Sequence, residues 1–172
     1  MPAGVARPLH LARRFLGSLS PRPLRAADDE WVRSVLGPGE RALWDRMALA
    51  DRKHAAGVAR DVAARLGPDA TRPVLAAALL HDVGKVDADL GTAGRVVATL
   101  IGRRRAASWD GRDGWRGRIG RYLRHDAVGA RMLDDAGAAS LTVAWAREHH
   151  RPETDWSVPV AVGRALRDAD DD

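Results

Sequence analysis

Val74-Leu75-Ala76-Ala77-Ala78-Leu79-Leu80, running directly into His81-Asp82-Val83-Gly84-Lys85, is the stretch on which the fold turns. A helix that is apolar on every side has to be covered on every side, so this one belongs at the centre of a domain. Thr71-Arg72-Pro73 supplies its start, because proline in the first turn lacks only an N–H that would have no intrahelical partner there. Gly84 suits the end of such a helix. The centre of the domain therefore leads straight into an imidazole and a carboxylate.

Outward from this helix the chain reads as helix after helix. A long helix is expected from about Glu40 to Leu66, ended by Gly67-Pro68, with His54, Val58, Val62 and Leu66 recurring every fourth residue as one stripe. His54 thus points with the buried face. Gly37-Pro38-Gly39 separates it from a short helix around Trp31, and further helices are expected at about 92–104, 115–124, 126–136, 138–149 and 158–170. No segment shows the sustained alternation of a strand, so the fold class is all-α, a helical bundle. Residues 1–27 read as a basic N-terminal arm, in which Leu9, Phe15 and Leu16 lie against Arg7, Arg13 and Arg14 before the breaker Ser20-Pro21-Arg22-Pro23. Residues 28–172 form the expected domain.

With 172 residues and 45% apolar content, the chain supports one domain and one active centre. The absence of cysteine excludes disulfides and thiolate metal sites, leaving imidazole and carboxylate as the ligands for any metal. No apolar run approaches the roughly 20 residues of a membrane span, and the N-terminus lacks a secretory apolar stretch. A cytoplasmic location is the expectation. The net charge of +5 is nearly all arginine, since lysine occurs only at Lys53 and Lys85. This favours anionic partners such as phosphorylated metabolites, nucleotides or nucleic acid.

Five of the six histidines, His54, His81, His125, His149 and His150, sit at or near the ends of apolar helical segments, and only His10 lies in the arm. Each neutral ring needs partners for both nitrogens, so five of them are hard to bury without a shared purpose. Adjacent residues on a helix diverge by about 100°, so His81 and Asp82 serve one ion only where the helix frays. Alternatively the carboxylate bridges two ions, as in binuclear hydrolytic sites.

His54, His81-Asp82 and an aspartate in Leu166-Arg167-Asp168-Ala169-Asp170 resemble the H…HD…D signature of the HD superfamily of metal-dependent phosphohydrolases, and Leu79-Leu80-His81-Asp82-Val83-Gly84-Lys85 resembles its most specific motif. Asp170 rather than Asp168 aligns with the Ala-Asp ligand position. Tyr122-Leu123-Arg124-His125-Asp126-Ala127 and Glu148-His149-His150-Arg151-Pro152 resemble the additional histidines of the five-histidine binuclear branch, which includes the HD-GYP cyclic-di-GMP phosphodiesterases; the Gly-Tyr-Pro element is missing after His150. The resemblance implies that His54, His81, Asp82 and Asp170 hold a first ion. Asp82 would then bridge to a second held by His125, His149 and His150. It further implies divalent transition metals (Mn, Fe, Ni or Co), hydrolysis of a phosphate ester by a metal-activated hydroxide with Asp82 and Lys85 as catalytic residues, and Lys85 as a point charge for substrate phosphate. His125-Asp126 is a second His-Asp dipeptide, but no apolar helix precedes it, and Asp126 reads as a helix-start residue.

Between the signature and His125 lies an Arg-rich insert, residues 102–124, where eight Arg against two Asp are interleaved with Trp109 and Trp115. Arginine with tryptophan is the composition that pairs phosphates and stacks bases. Arg103, Arg104 and Arg105 are accordingly expected to bind substrate, a nucleotide or a nucleic acid. Two competing functions stand beside hydrolysis: an HD-type diiron oxygenase, and a non-catalytic module that keeps metals for structure and binds nucleotides.

Overall fold

A computed structural model of the chain describes residues 23–88, 90, 91, 94, 97, 98, 100, 101, 109 and 112–171. The described residues contain helices and no strand: α1 (Ala26–Val35), α2 (Pro38–Arg46), α3 (Leu49–Leu66), α4 (Arg72–Leu80), α5 (Gly114–Leu123), α6 (His125–Asp135), α7 (Ser140–Glu148) and α8 (Val160–Asp171). Short 3-10 turns occupy Gly67–Asp69, Val83–Ala88 and Glu153–Asp155. Most of the basic arm and the expected substrate residues Arg103, Arg104 and Arg105 lie outside the described residues. No described helix is long and apolar enough to cross a membrane.

The apolar stretch takes the central place its composition demands. Helix α4 packs against α3 on one side and α7 on another, α8 lies on α3, and α6 lies on α7. Ala77, Ala78, Leu79 and Leu80 have no exposed surface, and Val62, Val83, Leu133 and Leu166 close around them from the other elements. Burying each Leu or Val side chain stabilises the fold by about 1.5–3 kcal/mol, which is why the small residues of α4 matter as much as the large ones: they let four neighbours approach. Thr142 on α7 donates to the Pro73 carbonyl (3.0 Å), tying the start of α4 to its neighbour.

Two expectations are corrected. The helix expected from Glu40 to Leu66 is two helices, because Met47 and Ala48 are extended (ψ 145° and 146°). No glycine or proline marks the break. At about 1.5 Å per residue a single helix over this span would be about 40 Å long. The break lets α2 face α4 and α6 while α3 faces α4 and α8. Gly84, in turn, does not end α4 through a left-handed conformation. Its hydrogen faces the backbone of α6, where a Cβ would sit 2.0 Å from the His125 carbonyl oxygen and 2.6 Å from the Gly129 nitrogen. The residue is needed for close approach, and that approach brings the start of α6 to the end of α4. Gly67 does end α3 with a positive φ of 53°, as Gly67-Pro68 implied.

Candidate metal centre

Helix α4 ends at Leu80 and delivers His81 and Asp82 as the next turn, only 3% and 7% exposed. Helix α6 begins with His125, and α7 ends just before His149 and His150. His54 comes from α3 and Asp170 from the last turn of α8. Five elements thus converge on one point, four of them through a helix end and α3 through its second turn. In this arrangement an irregular turn, rather than a continuous helix, presents the histidine and the aspartate together.

The side chains form two groups. Ligand atoms of His54, His81 and Asp170 all lie within 4.8 Å of one another, and so do those of His125, His149 and His150. Asp82 stands between the groups. Its Oδ2 is 3.4 Å from His81 Nε2, while its Oδ1 is 3.1 Å from His125 Nε2 and 4.0 Å from His149 Nε2. Asp170 Oδ1 lies 2.7 Å from His54 Nε2 and 3.7 Å from His81 Nε2. Asp168 is exposed and takes no part in this cluster.

Ring orientation is set by the backbone. Nδ1 of His81, His125 and His149 meets the carbonyl oxygens of Ala78 (2.9 Å), Tyr122 (2.7 Å) and Ala146 (3.0 Å), so each Nδ1–H donates there and each Nε2 points into the cluster. This is the arrangement by which metal-binding histidines are usually held. Nε2 of His81 and of His149 is buried without a hydrogen-bond partner, a deficit that costs about 1–3 kcal/mol per group. Several of the separations inside the cluster exceed hydrogen-bond length. They match the roughly 3.0–3.5 Å that separates two donors each about 2.1 Å from one ion. His125 Nε2 and His150 Nε2 face each other at 3.2 Å, a pair that a shared cation would satisfy on both sides. These buried His and Asp groups are able to bind a metal ion.

Charge is balanced within the cluster. Lys85 Nζ is paired with Asp82 Oδ2. Burial alone would raise the Asp82 pKa, but Lys85 and His81 override it and hold the carboxyl well below its ordinary range. Burial would likewise lower His81, yet Asp82 and Asp170 raise it to about 9. Asp170 is held down by its hydrogen bond with His54 and by His81, against the opposing effect of burial. His149 goes the other way, to about 3, because burial and the neighbouring His81 and His150 disfavour its charge. At neutral pH His149 therefore keeps a free lone pair, whereas His81 carries a proton that an incoming cation must displace. Metal affinity at the His54, His81 and Asp170 group should accordingly rise with pH up to about 9 and level off above it, by up to about tenfold per unit for one displaced proton. Cobalt titrations across that range, followed by absorbance, test this. A flat profile would show that no proton competes.

No family model, no curated protein and no solved structure matches this chain. The site therefore stands on its own geometry. That geometry brings together all seven residues singled out as ligands, His54, His81, Asp82, His125, His149, His150 and Asp170, with Lys85 beside them. Two neighbours had no assigned role in the sequence. Tyr122, the single tyrosine, lies with its ring 6.0 Å from that of His125. Glu148 is 7% exposed, and the signal for it was an acidic residue ending an apolar helix directly before two histidines.

Proposed function

We propose that the chain is a metal-dependent phosphohydrolase of the HD type, which holds two divalent ions and hydrolyses a nucleotide or another phosphorylated metabolite. One observation carries the reading: the two oxygens of Asp82 face different ligand groups, Oδ2 toward His81 and Oδ1 toward His125 and His149. A carboxylate shared in this way is the hallmark of binuclear hydrolytic sites. The composition adds support, because the chain is rich in arginine, and arginine clusters suit phosphate and do little for C–H chemistry.

When bound, the ions supply a nucleophilic hydroxide near neutral pH and stabilise charge on the phosphoryl oxygens. The protein's own groups do the rest. Backbone carbonyls lock His81, His125 and His149 with Nε2 inward, so no ring has to turn as substrate arrives. Asp82 keeps the two groups in register. Lys85 is paired with Asp82 at rest and lies half-buried at the cluster, from where its ammonium offers a point charge to a substrate phosphate. In hydrolysis an oxygen of water bonds to phosphorus, the bond to the leaving oxygen breaks, and that oxygen takes up a proton.

Measuring phosphate release under argon with Mn²⁺ as the sole metal tests the reaction class. Activity there, rising with pH near neutrality, is the expected result across a panel of phosphorylated metabolites. Product that appears only with iron, and with oxygen consumed in proportion, would replace the hydrolase by an oxygenase.

A further inference from the structure

We propose that Glu148 is a positioning residue, which sets the His149–His150 pair against Asp170 by fastening the strap of residues 151–159. The inference rests on the reading of these histidines and Asp170 as metal ligands. A carboxylate in the last turn of a helix is disfavoured by the helix dipole, and burying it without partners costs more. Glu148 is nonetheless 7% exposed. Both of its carboxylate oxygens are used on one residue nine positions on: Oε2 accepts from the Ser157 N–H (2.7 Å) and Oε1 from the Ser157 hydroxyl (2.8 Å).

The backbone of the same residue is held as well. The Glu148 carbonyl accepts from Trp156 Nε1 (3.2 Å) and from the Arg151 N–H (2.7 Å). Four hydrogen bonds therefore converge on the residue that immediately precedes His149. None of them reaches a histidine directly. Their effect is to fix the direction in which the chain leaves α7, which is what aims the next two rings.

The strap is gripped from its other side by α8. The Trp156 ring packs on Trp145 (centroids 5.2 Å apart), and the Arg167 guanidinium lies 4.1 Å above it. Arg167 also donates to the Arg151 carbonyl. At Gly163 a Cβ would lie 2.5 Å from the same ring, so the helix backbone itself presses on the tryptophan. Gly163, Arg167 and Asp170 recur at intervals of four and three and thus share one face of α8. The helix face that brings Asp170 to one ligand group also clamps the strap that aims the histidines of the other. Glu148 closes this link, because without it Ser157 has no hold on α7.

The test uses the full chain with ¹⁵N-labelled histidine, so that ring signals are read without metal, followed by Co²⁺ titration of the same samples. Glu148→Ala is expected to shift or broaden the ring signals of His149 and His150 and leave those of His54 and His81 in place. Affinity for the second ion should weaken about tenfold or more, the usual effect of losing a group behind a ligand, and that for the first should hold. Glu148→Gln keeps an oxygen for the Ser157 N–H and should restore most of both. Unmoved His149 and His150 signals in a folded Glu148→Ala variant would refute the proposal. So would movement of all the histidine signals together with a falling melting temperature, the mark of a purely structural role. If Glu148→Ala does not fold, Ser157→Ala, which removes a single hydroxyl from an exposed residue, carries the same two outcomes in smaller measure. A wild-type chain that takes up no second ion would overturn the two-ion reading, while the ring signals would still decide the role of Glu148.

Discussion

Replacing Asp82 with alanine is expected to lower turnover by more than about 10³-fold, because one residue then fails both ligand groups at once. The wild-type chain should retain about two transition-metal ions after anaerobic purification, since six further imidazole and carboxylate ligands exceed what one ion uses. Asp82→Ala should lose metal from both groups together. It also leaves Lys85 and the proton on His81 without the carboxylate that holds them. Breaking a buried ion pair in this way costs about 3–5 kcal/mol, so circular dichroism must accompany the assay. Asp82→Asn also loses the charge that pairs with Lys85 but preserves shape and one acceptor, so it should be destabilised less than Asp82→Ala and still be inactive. Elemental analysis and phosphate release on the three proteins give the answer. Near-normal turnover in Asp82→Ala would end the proposed mechanism. A metal content of one or less, unaffected by replacing His149 or His150, would end the two-ion reading.

Gly84→Ala should produce the largest structural effect of any single methyl group near the site. The added carbon would sit 2.0 Å from the His125 carbonyl oxygen and 2.6 Å from the Gly129 nitrogen. Both are backbone atoms, and no rotamer change relieves the clash. Either the Val83–Ala88 turn or the start of α6 has to move, and overpacking of this kind costs about 1–3 kcal/mol or more. His125 begins α6 and moves with it, so second-ion affinity should fall along with the melting temperature. Gly57→Ala supplies the contrast. It lies in the middle of α3 with nothing within 4 Å of the added carbon, and alanine there should stabilise by about 0.5–1 kcal/mol. Equal melting temperatures for the two variants would show that α6 does not rest on Gly84.

Much of this protein is written in local pattern. An apolar run from Val74 to Leu80 has to be central wherever the other helices lie, because burial is its only favourable environment. Periodicity of 3.6 needs no knowledge of neighbours, which is why the helices ending just before His149 and beginning at His125 were legible within a few residues. The histidines at those ends were legible as candidate ligands for the same reason. Other features had no local signal. Nothing in Trp44-Asp45-Arg46-Met47-Ala48-Leu49 breaks a helix, and the turn there exists because the chain must wrap α4 from two sides. A glycine after His81-Asp82 suggests a helix end, but only the position of α6 shows that its missing side chain makes room for another backbone.

The site divides along the same line. Residue types and spacing nominate Asp82 as a ligand, while the direction of each of its oxygens depends on where α3, α6, α7 and α8 place their histidines and Asp170. Glu148 is more hidden still. Its partner Ser157 is nine residues away across an irregular strap, and no period connects them. Helix content and burial follow from short-range preference and transfer free energy, which any window of the sequence carries. The aim of a carboxylate and the seating of a strap follow from several elements meeting at one point, and that meeting exists only in the folded chain.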